Sequence, residues 1–169
     1  MKDTLDHTCR SIMTANPLVL RRRHTVAQGL QLLLDHHLLA LPIVEADGRY
    51  FGMFLKSKLI SLLLPKVVGI AESMADHGRW LEFGFLSDSL DDVRDRYHGI
   101  AGDLVEKHAK FDTPKLRPDT SLMNALLFLY RTRNFLPVVE EGTEQLLGVV
   151  STWDALARIA ETTHGAAWR

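Results

Sequence analysis

The sequence holds one cysteine in 169 residues, Cys9, and no second thiol to pair with it. A disulfide framework and a four-cysteine metal finger are both excluded on that count, and a reducing cytoplasm is the expected setting. An excess of one charge is missing too, since 20 Lys plus Arg stand against 21 Asp plus Glu. No global field draws such a chain to nucleic acid or to an anionic membrane, so neither partner is expected and a charged ligand has to be met by local groups. Long apolar runs are also lacking. The longest, residues 59–70, is interrupted by Ser61, Pro65 and Lys66 and does not read as a bilayer span. Residues 1–6 lack the basic-then-apolar pattern of a secretion signal.

Patterns that carry chemistry are equally sparse. Among the eight histidines no i, i+4 pair falls on a helical stretch, and His36 and His37 are adjacent and point apart, so no metal site is expected. There is no glycine-rich phosphate loop, no Ser-His-Asp constellation and no paired carboxylate, and Cys9 has no activating neighbour. No catalytic residue is assigned, and the expectation is a protein that is not an enzyme. Arg21-Arg22-Arg23 is a compact basic cluster, either solvated or a contact for polyphosphate.

What the chain does have is an internal repeat. In the first copy Leu18-Val19-Leu20 precedes His24-Thr25-Val26, and an apolar stripe leads to Leu41-Pro42-Ile43-Val44-Glu45, then Gly48 and Gly52-Met53-Phe54-Leu55. In the second, Pro114-Lys115-Leu116 precedes Asp119-Thr120-Ser121-Leu122, and a stripe leads to Leu136-Pro137-Val138-Val139-Glu140, then Gly142 and Gly148-Val149-Val150-Ser151. Val26, Leu30, Leu33 and Leu34 keep helical spacing, as do Leu122, Leu126, Leu129 and Tyr130. Residues 41–45 and 136–140 read as buried strands, each followed by a polar turn into a partner strand at 50–55 or 146–150. A helix closes each unit, over 56–64 and over 152–161, the second with Trp153, Leu156 and Ile159 on one side.

The fold class predicted is therefore α/β, more strictly α+β. It consists of two β-α-β-β-α units with repeat 1 at residues 1–64, a connecting segment at 65–102, and repeat 2 with the C-terminal helix at 103–169. A unit of about sixty residues closes no core alone, so the halves are expected to share one. Ser87-Asp88-Ser89 offers helix caps ahead of Leu90, Val93 and Tyr97 in the connecting segment. Upstream, residues 78–86 gather Trp80, Phe83 and Phe85, which either cover an open edge of the core or present anchors to an effector protein.

With Ser11-Ile12-Met13-Thr14 ahead of the first strand, the doubled Leu-Pro-(Ile/Val)-Val-Glu and Gly-(Met/Val)-(Phe/Val) motifs resemble paired cystathionine β-synthase (CBS) domains, the tandem modules also called Bateman modules. The resemblance implies a pseudo-twofold pair around a central cleft, a regulatory site for adenosine nucleotides (AMP, ADP or ATP) or S-adenosylmethionine, and a flat homodimer. Nucleotide-binding members end a unit with Gly, two apolar residues, Ser or Thr, two free positions and Asp. Gly148-Val149-Val150-Ser151-Thr152-Trp153-Asp154 fits at every fixed position. By that resemblance Asp154 accepts from both ribose hydroxyls and Ser151 adds a contact, with Gly148 and Val149 beneath them. Asn16, Leu18, Leu39 and Ala40 match the base slot, and Asn134 and Phe135, with Arg133 adjacent, match the phosphate positions, although the usual His-Arg clamp is missing.

The same four residues, Ser151 to Asp154, also read as an ordinary capping box. The first copy departs from the nucleotide pattern, with Leu55 at the hydroxyl position and Lys58 at the carboxylate position. One competent site is expected, of which AMP or ADP is the favoured ligand, and one that is empty, occluded or adapted to an anion. The alternative is a nucleotide-free dimeric scaffold that uses the same fold to bind a partner.

Overall fold

The computed structural model describes residues 7–65, 89–132 and 135–164. Within them the chain runs through α1 (Cys9–Ile12), β1 (Thr14–Ala15), β2 (Leu20–Arg21), α2 (Val26–Asp35), β3 (Ala40–Val44), β4 (Tyr50–Leu55) and α3 (Lys56–Leu63). It resumes with α4 (Leu90–Ala101), a 3-10 turn (Val105–His108), α5 (Leu122–Thr132), β5 (Leu136–Val139), β6 (Leu146–Val150) and α6 (Thr152–His164). These form two α+β units with three-stranded sheets in the orders β2-β3-β4 and β1-β6-β5.

The helices begin where side chains can satisfy the first free amides. Thr25 and Gln28 form a reciprocal capping box at α2, and Ser89 and Asp92 form another at α4. The hairpins match each other position for position, Pro42 pairing with Met53 and Pro137 with Val149. A proline is tolerated inside these strands because its missing donor takes no hydrogen bond from the hairpin. The Pro137 carbonyl accepts from Leu116 N–H, so its nitrogen points the same way, away from β6 and toward the short parallel bridge at the sheet's edge.

Of the Leu18-Val19-Leu20 run only Leu20 is in a strand, and β2 continues into Arg21 and runs parallel to β3 at Ile43 and Val44. A further strand, β1, is absent from the sequence reading, and it does not join its own repeat. Thr14 and Ala15 pair antiparallel with Val149 and Gly148 of β6, and α1 sends Cys9 and Ile12 into the core of the second unit. The exchange is reciprocal. The segment entering the second repeat docks on the first, where Val105 joins the core and Lys110 bridges Met53.

The two repeated glycines make this possible. A Cβ on Gly148 would lie 2.8 Å from the Thr14 carbonyl oxygen, and one on Gly52 would lie 3.1 Å from that of Lys110. The expected single shared core is accordingly replaced by two. Leu20, Leu41, Ile43 and Phe54 centre one, and Leu116, Leu136, Val138 and Val150 centre the other. A small cluster of Ala40, Met53 and Leu55, packed with Tyr50 and Phe135, lies apart from both. Each unit buries enough apolar surface because the other lends it a segment.

The helical stripes are wider than the cores need. Tyr130 is 79% exposed and Trp153 80%, so the outer edges of the α5 and α6 stripes face solvent.

Candidate functional site

The end of β6 turns directly into α6, and the turn is held by a carboxylate. Ser151, buried, donates from its N–H (2.7 Å) and from its hydroxyl (2.6 Å) to Asp154 Oδ2. The Asp154 N–H donates back to Ser151 Oγ at 3.2 Å. This is a capping box, so that structural reading of the motif is realised. It engages one carboxylate oxygen. The other, Oδ1, accepts from the Thr14 hydroxyl at 3.3 Å. A carboxylate accepts through both oxygens and several lone pairs, so Oδ1 keeps capacity toward whatever lies beside Thr14.

Beside Thr14 lies a cavity of about 310 Å³. One side is made by Pro17, Leu18, Ala40, Pro42 and Met53 of the first repeat, and the other by Phe135 and Val149 of the second, with Leu38 and His36 completing it. The strand exchange creates this juxtaposition, because β1 brings Thr14 against β6 while the next residues return to the first unit.

Of the residues singled out from sequence, Leu18, Ala40 and Val149 lie on the wall. Ser151 and Asp154 adjoin it through Thr14, and Gly148 lies under β1. Leu39 is 49% exposed, its carbonyl accepting from Lys56 N–H, and Asn16 is exposed in the left-handed conformation; neither is among the wall residues. Arg133 and Asn134 lie outside the described residues, as do Trp80, Phe83 and Phe85. Sequence reasoning missed Thr14, Pro17, His36, Leu38, Pro42 and Met53 as wall residues, while Phe135, matched to a phosphate position, lies on the wall. The signal for Pro42 was present, since alternation along β3 places it on the same face as Ala40. Thr14 and His36 depend on the strand exchange and on a helix end, which the repeat pattern does not reveal.

The mirror-related position is built differently. Lys110 pairs with Met53 as Thr14 pairs with Val149, Phe135 stands two residues before its proline where Ala40 stands before Pro42, and Leu55 replaces Ser151. Leu55 gives α3 no side-chain cap, and Lys58 is exposed. Burial pushes the Tyr50 phenol well above its ordinary range, and the neighbouring Thr113 hydroxyl offsets part of that rise.

A larger groove of about 740 Å³ runs past Arg21, Arg22 and Arg23, away from this cavity. Arg22 is engaged within the molecule: it pairs with Glu106 at 2.6 Å and Glu45 at 2.8 Å and lies 4.2 Å over the Phe51 ring. Those hydrogen bonds raise the guanidinium further above its ordinary value. Arg21 donates to the carbonyls of Glu45 and Ala46. The cluster fastens the exchanged 3-10 segment, and two wall carboxylates oppose a polyanion. Among the described residues no group of three His, Cys, Asp or Glu is placed to hold a metal ion, and no helix is long and apolar enough to cross a membrane.

The CBS domain family model matches residues 9–65 and 101–161. The chain belongs to that family and carries a tandem CBS pair. Among solved structures it is similar to CBSX2 from Arabidopsis thaliana, with a TM-score of 0.71 and 17% identity over 92% of this chain and 96% of that one. It is similar to CBSX2 in complex with AMP at a TM-score of 0.67 and 17% identity, over 92% and 98% of the two chains. A third is MJ1225 of Methanocaldococcus jannaschii, described as a proposed archaeal homologue of g-AMPK, with a TM-score of 0.67 and 17% identity over 92% of this chain and 48% of that one. At these identities the likeness is one of fold. No curated protein matches the sequence closely enough to serve as a relative.

Proposed function

We propose that this CBS pair is a regulatory module that binds one adenosine nucleotide per chain, AMP or ADP, in the cavity beside Thr14. The observation that carries the reading is the Thr14 to Asp154 hydrogen bond, which sets a carboxylate with spare acceptor capacity at the edge of a mainly apolar slot. The ribose hydroxyls donate to Asp154 and the base lies between Ala40, Pro42 and Val149. The AMP complex of CBSX2 supports the ligand class. ATP and S-adenosylmethionine are the competing members of that class. The mirror position, with Lys110, Leu55 and Lys58 in place of Thr14, Ser151 and Asp154, takes no nucleotide.

Binding acts by differential affinity for two arrangements of the units or of two copies. A homodimer is part of this proposal. The exposed faces of α5 (Met123, Leu127, Tyr130) and α6 (Trp153, Leu156, Ile159) support it. At roughly 200 Å² per large side chain they leave about 700 Å² uncovered, near the ~800 Å² per partner of a standard interface. Sedimentation velocity with and without AMP reads this part; a monomer under both conditions removes it. An effector docking at Trp80, Phe83 and Phe85 is the other route of output, and replacing Trp80 and Phe83 by Ser tests it by loss of partner capture.

The rival reading is a ligand-free scaffold, favoured by the capping box that already engages Asp154 Oδ2. Calorimetry with AMP, ADP, ATP and S-adenosylmethionine separates the two. Binding tighter than about 1 mM that is lost in Asp154→Ala supports the sensor, and none tighter than that leaves the scaffold.

A further inference from the structure

Helix α2 ends in a way that fixes a histidine on the wall of the cavity. His37 takes the left-handed conformation at φ 52°, uncommon for a residue other than glycine though histidine is among those enriched there. Leu38 N–H then donates back to the Leu33 carbonyl at 2.9 Å, while His36 and His37 donate to Leu32 and Leu34 at 3.3 Å. Three consecutive amides are thus tied to the last turn of the helix, and the backbone of His36 has little freedom. His36 is exposed and lies on the cavity wall, which places it at the mouth.

The remaining wall is apolar except for Thr14, so His36 is the one described wall residue able to carry positive charge. A phosphate taken into the apolar interior would lose its water without a partner, which is expensive. With the sugar held near Thr14 and Asp154 and the base against the apolar wall, the phosphate belongs at the mouth. The volume of about 310 Å³ lies at the lower end for ligand pockets, and a longer phosphate chain projects out past a single imidazole.

We infer that His36 is the phosphate partner of this site, and that through it the site selects a nucleoside monophosphate over the triphosphate. The inference rests on the nucleotide reading above. One imidazole offers one or two N–H donors, enough for one phosphate group and without the forked grip of arginine.

Calorimetry on the full chain tests it with adenosine, AMP and ATP against wild type, His36→Ala, His36→Gln and Arg133→Ala. Wild type is expected to bind AMP at least ~10-fold more tightly than adenosine, the scale of a charge-assisted hydrogen bond, and more tightly than ATP. His36→Ala brings AMP down to the level of adenosine while leaving adenosine unmoved, which also reports that the fold is intact. His36→Gln, which keeps a neutral donor, retains part of the preference. An AMP-to-adenosine ratio unchanged in His36→Ala overturns the inference, as does a ratio that collapses only in Arg133→Ala. Wild type binding ATP more tightly than AMP, or adenosine as well as AMP, overturns it while the nucleotide reading stands. Wild type binding neither adenosine nor AMP removes that reading and this inference with it.

Discussion

The two ends of the central cleft descend from one repeated pattern and differ at four positions. Thr14, Ala40, Ser151 and Asp154 are matched, in the other copies of their motifs, by Lys110, Phe135, Leu55 and Lys58. At the first end a hydroxyl and an acid cap a helix beside the cavity; at the second, an aliphatic residue and a lysine cap nothing. The comparison teaches that the repeat specifies a shape and that a few side chains decide what chemistry that shape presents.

The largest expected effect breaks that comparison directly. Asp154→Ala removes the proposed acceptor for two sugar hydroxyls and is expected to weaken AMP about 100-fold or more, as two charge-assisted hydrogen bonds would. Lys58→Ala, the mirror variant, leaves calorimetric affinity and a stoichiometry of one unchanged. Two bound nucleotides per chain, or equal losses in the two variants, would erase the distinction between the ends.

The exchange of segments offers the next test. Gly148→Ala places a carbon 2.8 Å from the Thr14 carbonyl, closer than any ordinary contact, with the Met13 sulfur 3.0 Å away, whereas Gly52→Ala meets the Lys110 carbonyl at 3.1 Å. Backbone on one side cannot yield cheaply, so overpacking is expected to cost about 1–3 kcal/mol at Gly148 and less at Gly52. Urea unfolding of both variants gives the order. A neutral Gly148→Ala would mean that β1 does not need the close approach.

How much of this was legible in the sequence follows from the range of the forces involved. Strands β4 and β6 were delimited to the residue, since alternation, the flanking turns and a change of period at Lys56 and Thr152 are local signals. The capping box at Ser89 and the Ser151 to Asp154 motif were visible for the same reason. The exchange of α1 and β1 onto the second unit was not. Thr14–Ala15 is two residues long and carries no period, and what holds it is the absence of a Cβ at Gly148, far along the chain. Because Thr14 reaches Asp154 only through that exchange, the polar edge of the site was hidden with it. From sequence His36 is weighed only as a metal ligand, and its place on the cavity wall depends on how α2 ends at His37.

Cys9 gives the smallest effect and the cleanest probe, because the single thiol lies on the exchanged segment. It is fully buried in the core of the second unit, and burial, with a lesser contribution from the charge of Asp119, pushes its pKa up to about 11. In the unfolded chain a cysteine titrates near 8.5. The folded value is the higher one, so the stabilisation is complete below about pH 8.5 and is lost as the pH rises toward 11. Over that interval wild type is expected to lose about 1–2 kcal/mol more than Cys9→Ala, which has no thiol to ionise. Urea midpoints for the two proteins, measured side by side, give the difference free of other titrating groups. At pH 8 the native thiol should also react with an alkylating reagent far more slowly than in urea, since reaction needs both exposure and the thiolate. Fast native alkylation without loss of the second unit's structure would show that α1 and β1 leave their sites on their own, and the two cores would then be less dependent on each other than their packing implies.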